Sequence, residues 1–162
     1  MRRGARAPLV RRRSDPVVYL VDTNILSIGT PDSREAPAGW IPWMEAHSEA
    51  LFLSTITLAE VCDGIAKVKR TGAAGRATRL SDWLDLVVHL YGDRVLPFDV
   101  AAARIAGRML DQARASGRAP GFADVGIAAT AESRELTVLT RNARDFAPLG
   151  VRVVHPFEIL PA

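Results

Sequence analysis

The chain has 162 residues, of which 48% are hydrophobic. That is the size of one domain, or of one domain with a tail, and the apolar content suffices for a full core, which excludes a disordered chain. No run approaches the roughly 20 apolar residues that a membrane helix needs, so we expect no membrane contact. The single cysteine, Cys62, excludes an internal disulfide, and with no visible secretory signal we predict a cytoplasmic protein.

The formal charge of +3 is unevenly distributed. Six of the 21 basic residues are arginines that precede Ser14, which leaves 15 basic against 18 acidic residues and a net charge of −3 for the remainder. We interpret residues 1–15 as an arginine-rich, disordered arm, either a solvated tail or a nucleic-acid-binding segment, and residues 16–162 as one folded domain.

Past the arm, apolar runs typical of buried strands alternate with segments whose apolar spacing is typical of helices. Because parallel strands need long crossovers, this alternation predicts an α/β protein with a mostly parallel sheet and helices on both faces. In chain order we predict a strand at 17–21, helices at 25–28 and 40–47, a strand at 51–54, helices at 56–70 and 79–91, a strand at 94–98, helices at 100–116 and 124–134, a strand at 137–140, a helical turn at 144–146 and a strand at 151–154.

Polar residues stand where these strands end. Asp22 directly follows the first strand, Glu60 lies early in the helix after the second, and Asp124 is the only charged residue between positions 121 and 131. Each has a plainer interpretation, since Asp22 and Asp124 can cap helices and Glu60 can face solvent on an amphipathic helix. The end of the fourth strand adds Asn142 and Asp145.

Together these acids point to a metal site. Carboxylates that converge at one sheet edge repel one another, and such a cluster is stable mainly when it holds a hard divalent cation. Oxygen ligands without His or Cys favour Mg²⁺ or Mn²⁺ over zinc.

Four segments carry a resemblance to a known family. They read VYLVDTNIL at 18–26, STITLAEV at 54–61, DVGIAATA at 124–131 and VLTRNARDF at 138–146, followed by HPF at 155–157. In order and spacing they resemble the PIN-domain ribonucleases, in particular the VapC and FitB-type toxins of bacterial toxin–antitoxin pairs. The resemblance covers residues 17–160 and implies a three-layer α/β/α PIN-like fold.

The resemblance also implies an activity, which is metal-dependent endoribonuclease cleavage by the toxin of a toxin–antitoxin pair. Asp22, Glu60 and Asp124 correspond to the family's catalytic acids, which hold Mg²⁺ or Mn²⁺ directly or through water. The implied partners are RNA, a cognate small antitoxin and a second copy of the chain. The residues expected to orient ligands or substrate are Thr23, Asn24, Thr140, Asn142 and Asp145, and those expected to hold the RNA backbone are Arg141 and Arg144.

One position departs from the family pattern. Many relatives have Asp where this chain has Asn142, whereas the FitB-like branch has Asn there with another acid nearby, and Asp145 is the available carboxylate. Whether Asn142 or Asp145 completes the site is open at this stage.

Other functions fit less well. A haloacid-dehalogenase-type phosphatase needs a second Asp where Asn24 stands, and a dinucleotide-binding domain needs a glycine-rich turn after the first strand. The main alternative is a catalytically inactive PIN-like module that binds RNA or an antitoxin. Apolar residues around Trp40, Trp43 and Met44, and in the helix from Trp83 to Tyr91, either form an interface or complete the core.

Overall fold

The structure is a computed structural model, and it describes residues 17–34 and 36–158. The predicted arm at 1–15 lies outside these residues and stays a prediction. Within the described part of the chain, no helix is long and apolar enough to cross a membrane.

A five-stranded sheet forms the centre of the molecule. Its strands are β1 (Tyr19–Val21), β2 (Leu51–Ser54), β3 (Val95–Leu96), β4 (Thr137–Leu139) and β5 (Val153–Val154). The strand order is β3-β2-β1-β4-β5, and every neighbouring pair is parallel. In register, Tyr19 of β1 lies opposite Leu51 of β2 on one side and Thr137 of β4 on the other. This confirms the predicted parallel sheet, and β1 lies at its centre.

Helices connect these strands. They are α1 (Thr23–Leu26), α2 (Trp40–Ala46), α3 (Thr55–Arg70), α4 (Ala74–Tyr91), α5 (Val100–Ala115), α6 (Phe122–Glu132) and α7 (Ala143–Phe146), with single 3-10 turns at Ser27–Gly29, Ser48–Ala50, Gly92–Arg94 and Ala147–Leu149.

Helix α4 begins earlier than the predicted start at residue 79. Gly75, interpreted as part of a break, is the second residue of the helix. Glycine keeps its backbone N–H and weakens a helix by about 1 kcal/mol without ending it. The break itself is Gly72, whose φ of 91° is a left-handed conformation that favours glycine.

Side chains alternate across the sheet and form two cores. Leu20 and Val138 face one core, which contains residues of α5 and α6 such as Ala106 and Val125. The neighbours of Leu20 on β1 face the other core, where they meet α1, α2 and α4. Two helical layers therefore enclose the sheet, and the predicted three-layer α/β/α architecture is confirmed.

Trp40 and Trp43 belong to the second core and not to an exposed patch. They are 2% and 8% exposed, their rings stack at 5.4 Å, and Trp43 also packs edge-on against Tyr19. An interface at these tryptophans is therefore wrong, and the alternative that they complete the core is right. Helix α4 does leave apolar side chains exposed, namely Leu86, Val88 and Leu90.

Helices α3 and α6 approach closely at Gly126. A Cβ atom placed on Gly126 would lie 3.0 Å from Cγ1 of Ile56, closer than ordinary van der Waals contact. Because Glu60 is on α3 and Asp124 is on α6, this contact sets the separation of the helices that carry two of the candidate acids.

We expect Gly126→Val to lower the free energy of unfolding by about 1–3 kcal/mol, because overpacking forces the two helices apart. The matched control is Gly107→Val on α5, where a Cβ would contact nothing within 4 Å, and we expect a change within about 0.5 kcal/mol. Urea unfolding followed by circular dichroism measures both. Equal effects of the two substitutions would contradict the close packing at Gly126.

Candidate active site

Asp22 is a buried carboxylate at the carboxyl end of the central strand. It is 4% exposed, and its backbone amide still continues the sheet by donating to the carbonyl of Leu139 at 3.0 Å. Its Oδ1 accepts a hydrogen bond from the Thr23 amide at 2.7 Å, which makes it the N-cap of α1. Asp22 therefore caps α1 through Oδ1, as the capping interpretation predicts, but capping does not account for Oδ2.

The second oxygen of Asp22 is held by side chains from two strand ends. Oδ2 accepts from the Thr140 hydroxyl at 2.6 Å and from the Asn24 side-chain amide at 2.8 Å. Thr140 in turn accepts from Asn24 at 3.0 Å and from the Asn142 amide at 2.9 Å, while the Arg141 amide donates to Oδ1 of Asn24 at 3.1 Å. This network fixes the carboxylate and ties the end of β4 to the end of β1.

Glu60 reaches the same edge from α3. Ser54 caps this helix by accepting from the Thr57 amide at 3.0 Å, so the helix starts directly where β2 ends. Glu60, partly exposed on the second turn, accepts a hydrogen bond from the Thr23 hydroxyl. The structure therefore places Glu60 toward α1 and not toward open solvent.

Asp124 lies on α6 without acting as a cap. Gly121 occupies the N-cap position, and the carboxylate accepts no hydrogen bond from any residue within the described ranges. Asp124 instead lines a hollow together with Asp145, Arg144 and Arg118.

Asp145 and Asn142 occupy different positions around the site. Asp145 is exposed on α7, yet its charge acts on both Asp22 and Asp124. Asn142 contacts the network through its backbone amide, which donates to Thr140. Of the two residues, Asp145 is therefore the one whose charge acts on the other acids.

Burial and mutual repulsion raise the pKa of two of these acids. The pKa of Asp22 is raised mainly by burial and further by Glu60 and Asp145, against the hydrogen bonds from Thr140 and Thr23. The pKa of Asp124 is raised to about 6 by burial and then by Asp22, Asp145 and Glu60. The four carboxylates therefore form one electrostatic unit.

The chemistry of this unit suits a divalent cation, although the arrangement is open. Within residues 17–34 and 36–158, no three carboxylate, imidazole or thiol side chains lie close enough to hold a metal ion as they stand. The oxygens are nevertheless the ligands that Mg²⁺ and Mn²⁺ prefer. Among the described residues, Oδ1 of Asp22 accepts only one hydrogen bond, so a lone pair remains for a cation.

The fold and the site define an α/β protein with a carboxylate cluster at the carboxyl edge of a parallel sheet. The family model described as "PIN domain" matches residues 19–150, and the chain belongs to this family. The resemblance seen in the sequence is thereby confirmed, and the chain is a PIN-domain protein of the VapC and FitB type.

Two relatives match over nearly their whole length. The plasmid stability protein StbB of Pseudomonas syringae pv. tomato is 36% identical, and the VapC ribonuclease Y4jK of Sinorhizobium fredii is 35% identical. Each alignment covers 87% of this chain and 99% of the relative.

Two solved structures share the fold. The crystal structure of FitAcB from Neisseria gonorrhoeae superposes with a TM-score of 0.76 and 30% identity, covering 88% of this chain and 100% of that one. VapBC-5 from Mycobacterium tuberculosis, a member of the VapBC family of toxin–antitoxin systems, gives a TM-score of 0.62 and 25% identity, covering 86% of this chain and 99% of that one.

The sequence analysis missed two residues near the site. Thr57 is fully buried and its hydroxyl donates to the Val21 carbonyl at 3.5 Å, which ties α3 to β1. The sequence signal that could have identified Thr57 is its position three residues after Ser54, a predicted cap of the helix. Arg118 lines the hollow with Asp124, and its position just before Gly121 and α6 was the only indication.

We expect Asp124→Asn to change the pH dependence of stability when EDTA is present. Because the pKa of Asp124 is higher in the folded state, about 6, than the roughly 3.9 of an unfolded chain, the folded protein binds the extra proton. Stability therefore falls as pH rises through this window, and the substitution removes part of the fall. After allowance for solvent screening we expect a gain of about 1 kcal/mol near neutral pH, a rise in Tm of about 2–4 °C.

Thermal unfolding from about pH 4 to neutrality measures this difference, which should vanish at the acidic end. Asp111→Asn, an exposed position on α5, is the control for removing one carboxylate and should change the free energy of unfolding at neutral pH by less than about 0.5 kcal/mol. A lower Tm for Asp124→Asn at neutral pH would contradict the repulsion inferred among the four acids.

Proposed function

We propose that this protein is a metal-dependent endoribonuclease that acts as the toxin of a toxin–antitoxin pair. The observation that carries the proposal is the position of Asp22, a buried carboxylate held by three donors and surrounded by Glu60, Asp124 and Asp145. The names of the relatives, which include a VapC ribonuclease, support the same activity.

Asp22, Asp124 and Glu60 would hold Mg²⁺ or Mn²⁺, directly or through water. When bound, the cation supplies Lewis-acid chemistry, lowering the pKa of a water and offsetting charge on the phosphate. Thr140 and Asn24 fix the Asp22 carboxylate, so its free lone pair has a defined direction. The proton that the attacking water releases is accepted by the cluster of carboxylates, which titrates as one unit.

The substrate is held by cations at the rim, because an acidic site does not attract RNA by itself. Arg141 and Arg144 line one hollow together with Asp145, which supports both arginines as cations at the rim of the acidic site. These arginines would contact phosphate oxygens and set the position of the strand without reading its sequence.

We expect Asp22→Asn, Glu60→Gln and Asp124→Asn each to lower Mg²⁺-dependent cleavage by about 100-fold or more, because each acid contributes to one site. Cleavage of a circular RNA substrate tests for internal cutting, and EDTA should stop it until Mg²⁺ or Mn²⁺ is restored. Asp111→Asn, prepared identically, controls for contaminating nucleases. Wild-type cleavage in any of the three variants, or activity that resists EDTA, would overturn the proposal.

The inactive binding module is the second candidate. It predicts RNA or antitoxin binding with no cleavage at any metal concentration, so the same assay decides between the two. The complete set of acids at the sheet edge favours the enzyme, since unused carboxylates that repel one another have no structural benefit.

The proposed partners are a small antitoxin and a second copy of this chain. The antitoxin is supported by VapBC-5, whose own description names a toxin–antitoxin system. The second copy is supported by Leu86 and Leu90, which are 54% and 62% exposed and lie one turn apart on α4.

We expect the wild-type protein to sediment as a dimer at micromolar concentration, and the double variant Leu86→Glu/Leu90→Glu to sediment as a monomer, because charges in an apolar contact lose their hydration. Val100→Glu, at an equally exposed apolar position on α5, is the control and should remain dimeric. Sedimentation velocity measures all three. A wild-type monomer would contradict the homodimer.

A further inference from the structure

A third hollow, which contains neither Asp124 nor Asp145, lies beside the site. It is formed by the segment that follows α1 together with the start of α4, and all of its lining residues are polar. They comprise three hydroxyl side chains (Ser27, Thr30 and Ser33), three arginines (Arg34, Arg76 and Arg141) and the carboxylate of Asp32. The arginines outnumber the carboxylate, so the hollow carries a net positive charge.

The guanidinium groups of Arg34 and Arg76 are the donors that this hollow offers to a ligand. The Ser27 hydroxyl already donates to the Thr23 carbonyl at 2.7 Å, and the Thr30 hydroxyl donates to the Ser27 carbonyl at 2.9 Å. Their hydrogens are therefore directed into the backbone. A ligand that binds here must be recognised mainly by arginine, which favours an anion with several oxygens.

Asp32 orients one of these arginines. Its Oδ2 accepts from Nε of Arg76 at 3.0 Å, and its other oxygen pairs with Arg79 at 3.5 Å. Within the described residues, no protein acceptor meets the two terminal amino groups of Arg76. Nε is anchored while the paired terminal donors remain available, and this fork geometry matches the oxygens of a phosphate.

The hollow is continuous with the carboxylate site through Arg141. This residue lines both the hydroxyl- and arginine-rich hollow and the hollow that contains Asp145. Its backbone amide donates to Asn24, which holds Asp22. An RNA strand whose scissile phosphate lies against the acids would therefore place a neighbouring phosphate in the hollow that contains Arg76.

We propose that this hollow is a subsite for a non-scissile phosphate of single-stranded RNA, with Arg76 and Arg34 as binding residues and Asp32 as the positioning residue for Arg76. The inference rests on the proposed ribonuclease function and extends it by assigning where the strand continues beyond the cleavage site. It also assigns the Asp32–Arg76 ion pair a role in binding, since an exposed ion pair contributes little to stability.

The test is binding of fluorescein-labelled oligouridylates by full-length protein in the Asp22→Asn background, which prevents cleavage during the titration. Because single-strand sites in proteins span roughly 4–16 nucleotides, we choose lengths of about 4 and about 16 nucleotides. For the longer RNA we expect Arg76→Ala to raise Kd about three- to tenfold, and Arg76→Glu to raise it further. Losing one phosphate contact should also reduce the slope of log K against log salt by about 0.7.

The controls are Arg104→Ala and Arg104→Glu, on an exposed arginine of α5 that lines neither hollow. Charge loss there should leave Kd and the salt slope nearly unchanged, and Tm measurements should show all variants folded. For the shorter RNA, Arg76→Ala should have a smaller effect, because too few phosphates are present to fill both hollows.

Two results would overturn the subsite while leaving the proposed function intact. The first is that the wild-type enzyme is active but Arg76 and Arg104 substitutions change Kd and the salt slope equally. The second is that the effect of Arg76→Ala on Kd is the same for the shorter and the longer RNA. A wild-type protein that neither cleaves nor binds RNA would instead reject the proposed function, and the subsite with it. In cleavage assays, which use protein that retains Asp22, the subsite predicts that Arg76→Ala raises KM and leaves kcat nearly unchanged.

Discussion

The burial of the Asp22 carboxylate at the end of β1 is the constraint on which the rest of the structure depends. A buried charge needs hydrogen bonds, and three donors meet this one, from Thr23, Asn24 and Thr140. Two of these donors come from the α1 turn and one from the end of β4. The ends of two neighbouring strands are thus joined around one carboxylate, and the other acids gather about a fixed point.

The same arrangement leaves the site under electrostatic stress. Burial and the neighbouring acids raise the pKa of Asp22 and Asp124, so the folded chain without a cation carries repulsion that a neutral edge would not have. Natural proteins sit near a stability threshold, and stress of this kind is typical of functional sites. The absence of a side chain at Gly126 allows α3 and α6 to pack closely, which brings together the helices that carry Glu60 and Asp124.

Arginines lie at the rim of this acidic centre. Arg118 and Arg144 stand beside Asp124, and Arg141 connects them to the hollow where Arg76 is anchored by Asp32. In the proposed function, an acidic centre with a basic rim separates two tasks, because the carboxylates would hold a cation while the guanidinium groups would hold the phosphate backbone. The net charge of residues 14–162, which is −3, conceals this division.

The amino-acid sequence by itself determined the parallel α/β architecture. A strand that is apolar on both faces, such as residues 17–21, combined with long helical crossovers permits few other arrangements. It also determined that Asp22 would stand at the sheet edge, because an acid directly after a buried strand has no other position. Only the tertiary structure decided that Trp40 and Trp43 belong to the core, that the charge of Asp145 acts on Asp22 and Asp124, and that Arg76 and Arg141 line one hollow. These outcomes depend on contacts between residues distant in the chain, which local spacing and capping preferences do not encode.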